Sequence, residues 1–284
     1  RGRSHGRWRA TVVADDASEA HAQLQHLRPT KTEGLPPRVL FAFTGQGSQY
    51  ANMAGDLYTQ HPSFRDALNR CAETLATHLD VPLMDILQDE RLLQDTRYTQ
   101  PALAAVAWSL VCLWRTWGVI PEAVVGHSIG EWVAAAAAGV ISPEDMLRAV
   151  TARGAQMGSL PQGGAMAAVR GDPEEIGALV NHPGISTAAI NHPAEVVLSG
   201  EETALLETLK MLSAHGFDSR QLNVSHAFHS HLMDPALEAL EVAFARPHYA
   251  TPRVPFVSAQ TGQVETDAWT QPEHWRRAVR EPVL

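Results

Sequence analysis

Apolar and polar positions divide the chain into short runs that switch between the period of a strand and the period of a helix. Arg7 to Val13 alternates as a strand does, and Ala17 to Leu27 reads as a helix. His26 to Pro37, with Pro29, Gly34, Pro36 and Pro37, breaks the pattern and predicts a linker and a boundary. Arg38 to Phe43 is a continuous apolar run that predicts a central strand, and it leads into the glycine-rich loop Thr44 to Gln49. Helical patterns follow over Met53 to Gln60 and Ser63 to Leu79. Pro101 to Trp117 is apolar nearly all round and predicts a buried helix. Pro121 to Val125 reads as a short buried strand, and Glu131 to Ala138 as a helix ended by Gly139. Ser142 caps the next helix, with Pro143 in its first turn, and that helix carries Arg148 and Arg153.

From Gln162-Gly163-Gly164 onward the runs shorten. Strands are predicted over Ala165 to Val169, Ser186 to Ile190, Val196 to Ser199 and Arg220 to Val224, with helices over Pro173 to Val180 and Ala204 to His215. This β-α-β-β-α-β order is that of a ferredoxin-like unit. Met233 to Phe244 then reads as a helix and Val254 to Ser258 as a strand. The pattern predicts an α/β fold: a larger part over 38–163 and 225–284, interrupted by a small ferredoxin-like part over 164–224, after a linker over 1–37.

Composition narrows the function classes. With 284 residues, 45% hydrophobic and 19% charged, the chain suits one large domain or two modest ones. A net charge of −9 argues against a nucleic-acid partner. Cys71 and Cys112 lie in helix-like stretches and read as core residues in a reducing cytoplasm, with no disulfide framework. No apolar run is long enough to span a bilayer, and the start carries no signal-peptide pattern. The chain opens without methionine at Arg1-Gly2-Arg3 and closes without a polar tail, so it is expected to be a piece of a longer polypeptide.

Gly126-His127-Ser128-Ile129-Gly130, between a predicted strand and a predicted helix, has the pattern of a nucleophile elbow. A sharp strand-to-helix turn strains the serine backbone and brings the residues two before and two after it together, where only glycine fits. The bland alternative is a serine capping an ordinary helix. A serine nucleophile needs a base, and histidines are dense at His226-Ala227-Phe228-His229-Ser230-His231. The pair His229 and His231 could also ligate a metal, but no acidic or cysteine ligand stands at useful spacing, so no metal is expected. Asp218 occupies the interval where an α/β-hydrolase would carry its acid, but lies at the end of the small part and not after a core strand. The loop Thr44 to Gln49 lacks the lysine of a P-loop and the spacing of a dinucleotide fingerprint.

These stretches together resemble the acyltransferase domain of a modular polyketide synthase, related to the malonyl-CoA:acyl-carrier-protein transacylases of fatty-acid synthesis. The resemblance rests on Phe43 to Gln49, Tyr98 to Leu103, Gly126 to Glu131, Arg153 in Ala152-Arg153-Gly154, Asn191 with Val197 to Gly200, and His226 to Ser230, all in family order. It implies an α/β-hydrolase-like large subdomain with a parallel sheet, and a continuation of that subdomain beyond Leu284. Residues 1–37 resemble the later half of a ketosynthase-to-acyltransferase linker, which implies a neighbouring ketosynthase.

The resemblance also implies roles. Ser128 would be the nucleophile and His229 the base, with Gln46 and Ile129 supplying amides to the oxyanion. Arg153 would pair with the malonyl carboxylate, and Gln100, Asn191, His226 and Phe228 would contact substrate. A backbone carbonyl within Val257 to Gln260 would orient the base, so no acid is needed. The implied reaction is ping-pong: malonyl-CoA acylates Ser128, and the phosphopantetheine thiol of an acyl carrier protein takes the malonyl group, with no bound cofactor. His226-Ala227-Phe228-His229 is the form of malonyl-selective members, where methylmalonyl-selective ones carry tyrosine, alanine, serine and histidine. A serine acyl hydrolase, a free-standing transacylase and a non-catalytic docking segment are the competing expectations.

Overall fold

The structure, a computed structural model, describes residues 6–31 and 38–284. The chain divides into two units, Arg1–Arg38 and Val39–Leu284. In the first, β1 (Trp8–Arg9) pairs antiparallel with β2 (Thr30–Lys31), and α1 (Ala17–His26) lies between them in sequence. Asp16 caps α1 by accepting from the Ser18 and Glu19 amides. The strand expected over Arg7 to Val13 is thus two residues long, because its paired partner offers only two. That partner falls inside the expected linker, the remainder of which, 32–37, lies outside the described residues.

The second unit opens with β3 (Leu40–Phe43), then α2 (Gly55–Gln60), α3 (Pro62–Leu75), α4 (Leu83–Ile86) and the long α5 (Thr96–Thr116). β4 (Ala123–Gly126) leads into α6 (Gly130–Ala138) and α7 (Pro143–Gly158). After these come β5 (Gly164–Arg170), α8 (Pro173–Leu179), β6 (Ile185–His192), β7 (Glu195–Glu201), α9 (Glu202–Ala214) and β8 (Ser219–Gln221). The chain closes with α10 (Leu237–Phe244), β9 (Phe256–Val257), β10 (Val264–Glu265) and α11 (Pro272–Arg280).

The first sheet runs β10-β9-β4-β3, with β3, β4 and β9 parallel and β10 antiparallel at the edge. Helix α6 packs on β3 and β4 and is buried along its whole length. Its run Ala134 to Ala138 has little side-chain bulk, so α5 and α7 pack closely against it. Trp132 packs at a tilt, 4.2 Å from Trp275 of α11, and lies 4.8 Å from Phe244 of α10, which ties the end of the chain to the elbow helix.

The second sheet runs β6-β7-β5-β8, antiparallel throughout, the strand order of a ferredoxin-like unit. Its two faces follow the period of two. Ala165, Ala167, Val169, Val196 and Leu198 pack with Ile176, Leu205 and Leu212 of α8 and α9. Met166, Ala168, Ala188, Ala189 and Val197 join the core of the larger part instead. The space between that second face and the elbow is where the candidate site lies.

Candidate active site

The elbow follows from packing at its two glycines. A Cβ on Gly126 would collide with the Gly130 carbonyl and the Glu131 amide, and one on Gly130 with the Phe43 and Thr44 carbonyls. The turn between them holds Ser128 at φ 52°, in the left-handed region that costs a non-glycine residue roughly 1–3 kcal/mol. Ile129 follows as the N-cap of α6, so the positive end of that helix lies beside the hydroxyl. His229 is held at φ 57° in the loop after β8.

Ser128 Oγ donates to His229 Nε2 at 2.9 Å, and His229 Nδ1 donates to the Glu281 carbonyl at 2.8 Å. A carbonyl only accepts, so Nδ1 carries the proton and the bare Nε2 faces the hydroxyl. The orienting carbonyl therefore comes from Glu281, not from Val257 to Gln260 as the resemblance implied. The carbonyl of Ala259 is already taken by the Leu284 amide at 2.6 Å, and the chain leaving α11 brings Glu281 over the ring.

Arg153, on α7, is 3% exposed. Its Nη2 donates to Ser128 Oγ at 3.1 Å and its Nη1 to Gln100 Oε1 at 2.7 Å. Gln100 Nε2 donates to Thr96 Oγ1 at 3.0 Å, and Thr96 Oγ1 donates to Gln46 Oε1 at 2.9 Å. One chain of side-chain hydrogen bonds thus joins the Thr44–Gln49 loop to the base. Burial lowers the Arg153 pKa to about 10, opposed by the carboxylate of Glu131, so the guanidinium stays charged at neutral pH. Burial and the adjacent Arg153 charge push His229 down to about 3, against the Glu281 carbonyl, which favours the imidazolium. The imidazole is neutral and able to accept a proton across the physiological range.

These groups line a cavity of about 170 Å³, with Ser128, His229, Arg153, Gln100, Gln46 and Ile129 on its polar side. Met157, Met166, Ala188, Val197 and Leu222 form an apolar wall opposite, and Phe228 lies beside the base. Asn191 stands at the rim, where its Oδ1 accepts from His127 Nε2 at 3.0 Å. His226 does not line the cavity. Its ring donates to the Leu160 carbonyl at 3.1 Å and accepts from the Ser225 hydroxyl, 6.0 Å behind the Phe228 ring. Among the described residues, no group of three or more His, Cys, Asp or Glu is placed to hold a metal ion.

The sequence pattern does not reveal Thr96 and Glu281. Thr96 belongs to a turn of α5 that precedes Pro101, whereas the apolar run predicts a helix that starts at the proline. Glu281 acts through its carbonyl, which leaves no side-chain signal.

A parallel sheet, a strained serine at a strand-to-helix elbow and a neutral imidazole on its hydroxyl define the class: an α/β enzyme suited to acyl transfer. Residues 40–284 match the sequence model of the acyl transferase domain family, and the chain belongs to that family. It is 39% identical over 292 residues to the mycoketide-CoA synthase of Mycobacterium tuberculosis, an alignment covering 99% of this chain and 7% of that protein. It is 38% identical to the phenolphthiocerol synthesis polyketide synthase Pks15/1 of Mycobacterium marinum, over 98% of this chain and 14% of that one. The chain therefore spans a small fraction of the curated relatives it matches.

Among solved structures, the acyltransferase domain of the second module of the salinomycin polyketide synthase superposes with a TM-score of 0.90 at 38% identity, covering 97% of this chain and 67% of that one. An acyl carrier protein S-malonyltransferase of Vibrio cholerae superposes with a TM-score of 0.80 at 29% identity, covering 87% of this chain and 83% of that one. The domain is an acyltransferase of the polyketide-synthase type.

Proposed function

We propose that the domain moves a malonyl unit from malonyl-CoA to the phosphopantetheine thiol of an acyl carrier protein, by way of an ester on Ser128. The observation that carries this reading is Arg153: a buried, charged guanidinium 3.1 Å from the nucleophile, whose neighbours are an amide and a hydroxyl. A planar fork held among neutral partners suits a free carboxylate at the far end of a short acyl group.

In the first half-reaction Ser128 Oγ attacks the thioester carbonyl carbon and its proton passes to His229 Nε2. The oxyanion meets the amides of Gln46 and Ile129, each such donor being worth ~3 kcal/mol of barrier. The C–S bond breaks, His229 returns the proton to the departing sulfur, and CoA leaves as the free thiol. In the second half-reaction the carrier thiol gives its proton to His229 and attacks the ester, and the hydroxyl of Ser128 is restored. The Glu281 carbonyl orients the base in place of a carboxylate, and no step calls for a metal or redox cofactor. In this reading residues 1–37 join the domain to a ketosynthase of the same polypeptide in the cytoplasm.

Intact-mass measurement after mixing with malonyl-, methylmalonyl- and acetyl-CoA tests the reading. The expected outcome is a malonyl adduct that maps to Ser128. No adduct, or an adduct from acetyl-CoA alone, overturns it.

A further inference from the structure

Glu131 is a carboxylate buried to 1% exposure at the start of the elbow helix α6, and the proposed chemistry does not use it. Burying a carboxylate is expensive unless its oxygens are hydrogen-bonded and its charge is offset. Here Oε1 accepts from the Ala259 amide at 2.8 Å, Oε2 lies 3.6 Å from His274 Nε2, and the amide end of α6 is favourable for negative charge. Both partners belong to the last stretch of the chain, 128 residues or more from the elbow in sequence.

What they hold is the frame of the base. Ala259 accepts from the Leu284 amide at 2.6 Å. His274 sits on α11 beside Trp275, whose ring packs at a tilt against Trp132, the residue after Glu131. Helix α11 ends at Arg280, and the next carbonyl, that of Glu281, receives the His229 Nδ1 proton. Val283 donates to the Ala188 carbonyl and accepts from the Ile190 amide, so the second sheet holds the other side of this segment. Glu131 thus grips the segment at both ends, through α11 before Glu281 and through Ala259 and Leu284 after it. The side chain that does so lies three residues beyond the nucleophile.

We propose that Glu131 is a positioning residue for the dyad: by anchoring the Ala259 amide and the flank of α11 to the elbow helix, it fixes the Glu281 carbonyl against His229 and keeps Nε2 aimed at Ser128. The inference rests on the acyl-transfer reading of Ser128 and His229. A base held slightly off line loses rate; Glu131 does not line the cavity and reaches the acyl site only through its charge on Arg153, so a donor that needs no guanidinium isolates the positioning effect.

The test measures single-turnover acylation by malonyl-CoA and by acetyl-CoA across a concentration series for the unaltered chain, Glu131→Ala and Glu131→Gln, each shown to be folded by circular dichroism. The His229 Nδ1–H resonance is followed by NMR in the same samples. Glu131→Ala is expected to lower the limiting rate about 10²-fold with both donors, with little change in the half-saturating concentration of acetyl-CoA, and to move or broaden the Nδ1–H signal. Glu131→Gln keeps the acceptor oxygen for Ala259 and is expected to recover most of the rate and the original signal. A folded Glu131→Ala with normal limiting rate and resonance overturns the proposal, as does a glutamine variant as slow as the alanine one. Should Glu131→Ala fail to fold, Glu131→Gln decides alone, and a loss of tenfold or more in its limiting rate counts against the anchor. An unaltered chain that acylates beside an unaffected alanine variant sinks this inference alone, whereas an unaltered chain that never acylates sinks the reading beneath it.

Discussion

At the scale of single residues, the catalytic competence of the site rests on which proton sits where. Ser128 is the hydroxyl at the elbow that faces the His229 ring, so Ser128→Ala should abolish the acyl-enzyme in intact-mass measurements. Loss of the base in His229→Ala should slow acylation ~10²–10⁴-fold, with the fold intact by circular dichroism. Burial and Arg153 hold the His229 pKa at about 3, so the ring is already neutral well below the usual histidine range. A base whose protonated form is disfavoured keeps its activity as pH falls. The acid limb of kcat/KM, which reports the free enzyme, should therefore lie far below 6.5, the ordinary value for histidine. Removing the positive charge in Arg153→Met stabilises the imidazolium and should move that limb upward when acetyl-CoA, which needs no guanidinium, is the donor. A limb near the ordinary histidine value in the unaltered chain would contradict the burial argument. On the proposed malonyl reading, the same arginine would discriminate donors. Arg153→Ala should cost malonyl transfer far more than acetyl transfer in paired rate measurements, because only the malonyl group carries a carboxylate to pair.

At the scale of elements, the elbow is legible in the sequence because its constraint is steric and local. Two glycines four positions apart, after a short apolar run and before a helix, match the close backbone approach that such a turn demands. Gly126→Ala should destabilise the fold by roughly 1–3 kcal/mol, read as a lowered midpoint in denaturant unfolding, because the new methyl meets backbone and not a movable side chain. The alternating faces of β5 and β7 and the ferredoxin-like strand order are likewise readable from period and sequence. Elements set by long-range contacts are less so. Helix α5 begins at Thr96, five residues before Pro101, because Asp95 caps it by accepting from the Arg97 amide at 3.0 Å, and the proline is carried within the helix. That extra turn supplies both Thr96 and Gln100. Helix α11 is short and mostly polar, with only Trp275, Ala278 and Val279 as an apolar stripe, and Trp275 packs on Trp132, far away in sequence, and on Trp269. The carbonyl of Glu281 has no signature in any side chain, so the orienting group is expected in Val257 to Gln260 and found elsewhere.

At the scale of the molecule, the cavity lies between the two sheets, and the proposed reaction would choose its acyl group there. The elbow, the base and Arg153 belong to the larger part, and Met166, Ala188 and Val197 present the second sheet's inner face to them across the cavity. Phe228 stands at the seam, 8% exposed and immediately before His229, and its side chain lines the cavity; on the proposed reading it borders the α-carbon of the acyl group. The His226 ring, itself tied to the Leu160 carbonyl and the Ser225 hydroxyl, lies 6.0 Å from the Phe228 ring and supports it from one side. On the proposed malonyl reading, His226 would act on selectivity only from behind the Phe228 ring. A hydrophobic pocket distinguishes one methyl group by only ~1–3 kcal/mol through binding, but a supported ring that must be displaced adds a packing cost to that difference. Malonyl-CoA should accordingly outcompete methylmalonyl-CoA at equal concentration by more than the binding difference alone allows, without complete exclusion. Phe228→Ser opens the space while leaving Ser128, His229 and Arg153 in place, so it should narrow the preference and retain malonyl transfer. Substituting His226 alone should loosen the ring and narrow the preference less. Competition assays read by the mass of the acyl-enzyme check all three, and preferential methylmalonyl loading by the unaltered chain would refute the steric account.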